Sequence, residues 1–256
     1  MARLNSSVLT LALALASAVA LGLASPASAS TRKSTTTTTK ATTTTTAPGS
    51  STTAAASPAD KVLVEAIGAE VRVGSVHVSG NIQQGKTSIK LKLLVNGDGE
   101  GGGTFQQGGY PIQLKRVGTL LYFNAPKKFW ATHATETQAK QYGGKWIEVS
   151  ALDERFISFV QFLDAADLTQ AVFQGHHNPL TITHSATIDG RKMIVIKDVE
   201  TANGKKNTGL MYISAKGTPY VYRIVDNTPG ETSTLNFSSY GKPVSITVPA
   251  EAINLT

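Results

Sequence analysis

Apolar residues recur at every second position over much of the chain. Val76, Val78 and Gly80 fall on one side of such a pattern and His77 and Ser79 on the other; Ile89, Leu91, Leu93 and Val95 alternate with Lys90, Lys92 and Leu94. A period of two is the mark of a strand with one dry and one wet face. Asn96-Gly97-Asp98-Gly99 and Gly108-Gly109 interrupt the pattern as hairpin turns. Residues 112–117 and 120–124 extend the sheet around a tight turn at Gly118-Thr119. Near the C-terminus Asp189-Gly190 predicts a two-residue hairpin between 180–188 and 191–199. Asn203-Gly204, Lys216-Gly217 and Pro229-Gly230 then separate strands at 208–214, 219–226 and 231–237.

Two regions change period. Asp60 stands as an N-cap before Val62, Leu63, Ala66 and Ile67, which predicts a short helix through Ala69. In the middle, 129–142 is a polar, helix-compatible stretch, and 145–149 reads as a short strand. Ser150 with Asp153 resembles a capping box. Behind it Phe156, Phe159, Val160 and Leu163 share one helix face, with Phe162 beside them, and Leu168, Ala171 and Val172 continue as a second short helix. The expected fold class is α+β: a large curved antiparallel sheet with helices packed on its concave face. Twist accumulating over so many strands curls the sheet, so helices bridging it can leave an apolar space between the layers.

The N-terminal quarter has no core-forming pattern. Residues 1–29 read as a signal peptide: Arg3, an apolar run from Val8 to Ala24, Pro26, and the small residues Ala27-Ser28-Ala29. Residues 30–59 are a Thr/Ser/Ala-rich linker that cannot bury enough apolar surface to order itself. Residues 60–256 form one domain large enough for a real core. The expected location is secreted, extracellular or in the cell envelope. The chain has no cysteine, which rules out disulfides, a thiolate metal site, a cysteine nucleophile and a lipid-modified anchor. The formal net charge is +7. Arg3, Arg32, Lys33 and Lys40 precede the domain, whose own charges are interspersed, so nucleic acid is not an expected partner. Peripheral contact with a membrane or cell wall fits the mild positive surface.

Catalytic and cofactor motifs are missing. There is no Gly-x-Ser-x-Gly elbow and no His-Glu-x-x-His pair. Gly97, Gly99 and Gly102 match a nucleotide-loop spacing but lead into another strand-like segment rather than a helix. His176 and His177 are adjacent and would point oppositely on a strand, which makes a poor metal site even with His184 nearby. Asp153-Glu154 and Asp164/Asp167 read as charges at helix starts. No enzyme, no cofactor and no metal are expected.

The domain resembles the LppX/LprG family of mycobacterial and actinobacterial cell-envelope lipoproteins, which share a LolA-like fold. The resemblance rests on Val76-His77-Val78-Ser79-Gly80 after the opening helix and on Gly103-Thr104-Phe105 after a Gly-rich turn. Leu121-Tyr122-Phe123, Phe129-Trp130, Gly144-Lys145-Trp146-Ile147-Glu148-Val149 and the ending from Phe237 to Ile246 complete it. It implies a half-barrel enclosing a hydrophobic cavity that carries acylated lipids or glycolipids. The lipobox cysteine of that family is absent, so the implied version is not lipid-anchored. Expected cavity-lining residues are Ile89, Leu91, Leu93, Leu121, Phe123, Phe156, Phe159, Val160 and Leu163, with Ile194, Ile196, Met211 and Ile213 lining the other half. The competing expectation is a non-catalytic surface recognition or structural module in which the same residues form a closed core. A protein partner is not identifiable from the sequence.

Overall fold

The computed structural model describes residues 57–164, 179–202 and 205–255. The leader, the linker up to residue 56, the helix expected at 168–172 and the His176-His177 pair lie outside the described residues. Helix α1 (Pro58–Val73) opens the domain. Asp60 is not its N-cap. Ser57 holds that position: its hydroxyl accepts from the Asp60 amide at 3.1 Å, and the Asp60 carboxylate accepts from the Ser57 amide at 2.9 Å. Pro58 sits in the first turn, where its missing N–H leaves no bond unmade. The helix therefore takes in Pro58 and Ala59, which the sequence assigns to the linker.

A five-strand meander follows: β1 (Ser75–Gln84), β2 (Thr87–Asn96), β3 (Glu100–Gln107), β4 (Tyr110–Val117) and β5 (Leu120–Asn124). Helices α2 (Lys127–His133) and α3 (Glu136–Tyr142) lead to β6 (Trp146–Ser150), a 3-10 turn (Glu154–Phe156) and α4 (Ile157–Phe162). A second meander comprises β7 (Thr181–Ile188), β8 (Arg191–Ala202), β9 (Lys205–Ser214), β10 (Val221–Thr228) and β11 (Glu231–Ser238). A two-residue strand, β12 (Ile253–Asn254), closes the chain. The strands form one sheet in the order β12-β6-β5-β4-β3-β2-β1-β11-β10-β9-β8-β7. Pairing β1 with β11 joins the two meanders, every neighbour pair is antiparallel except β12 with β6, and β12 and β7 remain as edges. The result is a large open half-barrel, as expected from the sequence.

Four local features differ from the sequence reading. Gly101 and Gly102, expected in the Gly-rich turn before Gly103, lie within β3. A Cβ on Gly101 would stand 2.6 Å from the Leu163 carbonyl oxygen, so the missing side chain lets the end of α4 rest directly on the sheet. The stretch 129–142 is two helices, because Ala134 is extended and Thr135 begins a new capping box with Gln138. The Ser150 hydroxyl accepts from the Leu152 amide at 3.1 Å and stabilises a turn; α4 starts later, at Ile157. The tail beyond Ser238 leaves the sheet, crosses its outer face and reaches β6. Val244 and Ile246 are half-buried along that path while Ser245 and Thr247 are exposed, a period-two signal that the sequence already contains.

Candidate functional site

Cross-strand register places the predicted apolar positions on one face. A single row runs Ile112–Phe105–Leu91–Gly80–Leu235–Ile224–Met211–Ile196–Ile182, one residue from each of nine adjacent strands. A parallel row carries Val78, Leu93, Gly103, Leu114, Phe123 and Ile147. Directly opposed residues share a face, so both rows belong to the concave side. On β8, Ile194 shares this face with its partner Ile213, yet is only half-buried, whereas Met193 and Val195 on the opposite face are buried. All other candidate lining residues are buried.

The first half of the concave face is roofed by rings. Phe159 of α4 meets Phe105 of β3 with centroids 5.6 Å apart, and Phe156 meets Phe123 at the same separation. Phe123 also touches Trp130 of α2 at 5.7 Å, and Trp130 touches Phe129 at 5.6 Å and Tyr142 at 5.1 Å. The roof is pinned by an ion pair of 3.2 Å between Arg116 of β4 and Asp164, which also bridges to Asn96. Asp164, read from the sequence as a helix-start charge, follows the end of α4 and is held in this ion pair.

Two polar features stand inside this apolar layer. Trp130 is fully buried, and its indole N–H has no hydrogen-bond partner among the described residues. An orphaned donor costs about 1–3 kcal/mol. Sequence periodicity places the ring but cannot reveal a missing partner. The second feature is Glu70, a carboxylate on the inner face of α1 that is 5% exposed. It accepts from the Val221 amide at 2.9 Å, and burial pushes its pKa up to about 7. Tyr240 also hydrogen-bonds to Glu70, donates its hydroxyl to the Val221 carbonyl, and stacks on Tyr220 at 4.2 Å. This cluster ties α1 to β10 and to the segment after β11. Glu70 was invisible to sequence reasoning because it occupies an apolar helix face without any motif around it.

Space between roof and sheet is small where it is described. The gap lined by Ile89, Leu91, Leu93, Phe105, Leu114 and Phe162 measures about 10 Å³. A space of this kind must reach about 10–15 Å³ before it holds one water. These side chains interdigitate, and an acyl chain enters this gap only if the roof lifts. Among the described residues no group of His, Asp and Glu is placed to hold a metal, and no helix is long and apolar enough to cross a membrane.

An open antiparallel half-barrel with helices on its inner side defines the class of fold. It is shared with LprF from Mycobacterium bovis, whose crystal structure aligns at a TM-score of 0.51 with 17% identity, over 77% of this chain and 99% of that one. The crystal structure of Mycobacterium tuberculosis lipoprotein LppX aligns at a TM-score of 0.48 with 14% identity, over 73% of this chain and 98% of that one. At these identities the likeness is one of fold. No protein-family model and no curated protein sequence matches the chain.

Proposed function

We propose that the protein is an exported, non-enzymatic carrier that shelters the acyl chains of lipids or glycolipids against its concave face. A nine-strand apolar row, roofed by rings over its first half, is the observation that carries this reading. Burying a chain of about 16 carbons is worth on the order of 12 kcal/mol at roughly 0.8 kcal/mol per CH₂. A row of Ile, Leu, Met and Phe supplies that environment without any catalytic group. The unpaired Trp130 N–H is a ready donor for an ester or amide carbonyl at the end of a buried chain. The half-barrel fold shared with LprF supports the reading, as does the lipid carriage that the LppX/LprG resemblance implies.

In this reading the leader 1–29 is removed and the stretch 30–59 tethers the domain in the envelope or outside it, without a lipid anchor. Loading requires α4 and its rings to separate from β2–β4, opening the gap of about 10 Å³. The same tight gap favours the second reading, a closed-core surface module. Native mass spectrometry of protein purified from an envelope-bearing host separates the two. A carrier shows acyl-lipid adducts on the folded protein; a closed module shows the bare mass across all lipid classes offered.

A further inference from the structure

The outer face of the sheet carries a second row that lipid carriage does not use. Register aligns Ser79, Lys92, Thr104, Gln113, Asn124 and Trp146 side by side across β1 to β6. At a strand spacing of roughly 4.8 Å the row is about 24 Å long. Thr104, Gln113 and Lys92 are exposed, Asn124, Ser79 and Trp146 half-buried. Asn124 donates to the Gly144 carbonyl at 2.9 Å, which holds its amide in place and leaves its carbonyl oxygen open. The side chains of Ser79, Thr104 and Gln113 bond to no other described residue.

The row ends in a built groove. The tail segment Ser245-Ile246-Thr247 forms one wall and β3, β4 and β6 the floor, enclosing about 340 Å³. That is the low end of small-molecule sites, roughly 300–1,000 Å³. Gly102 makes room for the wall: a Cβ there would stand 3.1 Å from the Ile246 Cδ1 atom. Lys115 pins the wall through a 2.8 Å bond to the Thr247 carbonyl while its ammonium lies 4.9 Å from the Trp146 ring centre. The backbone of Val244 to Ala250 makes no backbone–backbone hydrogen bond among the described residues, so its amides, and its carbonyls other than that of Thr247, remain open to a ligand.

We propose that this groove and the row leading from it bind an uncharged, extended oligosaccharide. A sugar presents hydroxyls at its edges and C–H groups on its faces. It therefore needs amides and hydroxyls at regular spacing together with an aromatic platform; here the indole, one face of which the Lys115 ammonium covers, lies beside the Asn124 amide, and Gln113, Thr104 and Ser79 follow at increasing distance along the row. Charge argues against a polyanion: Lys92 is the one ionised side chain of the row, and Lys115 is already engaged with the wall and the indole. An extended peptide finds no free edge on β3 or β4, which are paired on both sides, and could pair only with the tail backbone or with the part of β6 that β12 leaves uncovered.

The test uses isothermal titration calorimetry of the full chain with chitotetraose, cellotetraose and maltotetraose, alongside heparin and an uncharged tetrapeptide. Saturable binding of at least one neutral tetrasaccharide, weakened tenfold or more by Trp146→Ala and severalfold by Gln113→Ala, is the expected result. Emission from Trp130 reports whether Trp146→Ala is folded, and Gln113→Ala keeps the test valid if it is not. Binding of heparin or the peptide alone, of no probe at all, or of sugar with both variants unaffected, overturns the proposal.

Discussion

The two faces of this sheet are made by the same strands, one residue out of step, and they have opposite physical characters. On β2, Leu91 and Leu93 are buried beneath α4, while Lys90 and Lys92, which alternate with them, are exposed. The two tryptophans repeat the contrast: Trp130 is wholly enclosed among rings, and Trp146 stands half-open in the outer groove. The inner face tolerates little change because its neighbours are close and apolar. Over β2 to β4 the outer face is free to carry recognition chemistry because little of the fold depends on it, whereas on β8 the outward Met193 and Val195 are buried. A slip of one residue would exchange the two, so register is what keeps them apart.

The sharpest way to break the comparison is to put the same charge on adjacent residues. Leu93→Asp buries an unpaired carboxylate and should cost more than about 4 kcal/mol, often preventing folding. Lys92→Asp, one position away, should change stability by no more than about 0.5 kcal/mol. Urea denaturation of both variants measures the difference; similar losses would show the register to be wrong.

Next in size is the buried carboxylate of α1. Because burial raises the Glu70 pKa to about 7, the folded state holds a proton that the unfolded chain releases above its ordinary value near 4.5. The stability that this proton provides is complete below pH 4.5 and is lost as pH rises to about 7. A rise of this size corresponds to about 3 kcal/mol. Glu70→Gln should flatten that part of the stability–pH curve relative to the parent, since the shifts of His77 and His133, both lowered by burial, are common to both proteins.

Gly101→Ala sharpens the view of the inner face. Its new methyl group meets the Leu163 carbonyl, which is backbone and cannot swing away, so a loss of about 1–3 kcal/mol is expected. Thermal unfolding measures it; a neutral result would mean that the roof sits less tightly on β3 than described. The smallest effect belongs to the wall of the outer groove. Lys115→Met removes an exposed hydrogen bond and a cation–π contact, together worth about 1 kcal/mol or less. Greater fast backbone motion at Ser245 to Thr247, read by NMR relaxation, with the rest of the sheet unchanged, is the expected signature.

How legible these features were depended on whether the signal was local. Alternation at 89–95 and the Asp189-Gly190 turn state strand and hairpin outright, and helical spacing put Phe156, Phe159, Val160 and Leu163 on one buried face. Gly101 and Gly102 misled because glycine signals a turn when read alone; the reason for Gly101 lying in a strand is contact with Leu163, about sixty residues away. Ser57 and Asp60 both suit an N-cap, and only the reciprocal bonds decide between them. The candidate lining residues were legible as buried positions. The outer row was not, because polar residues on a strand look alike until register lines them up.

The central claim is that an acyl chain enters the concave layer. A Trp146→Phe variant leaves Trp130 as the reporter, and a fatty acid brominated along its chain serves as the probe. A chain inserted beneath α4 brings bromine to the enclosed indole and quenches its emission, while aqueous acrylamide leaves that emission largely intact. Undiminished Trp130 emission at saturating brominated lipid would contradict the account.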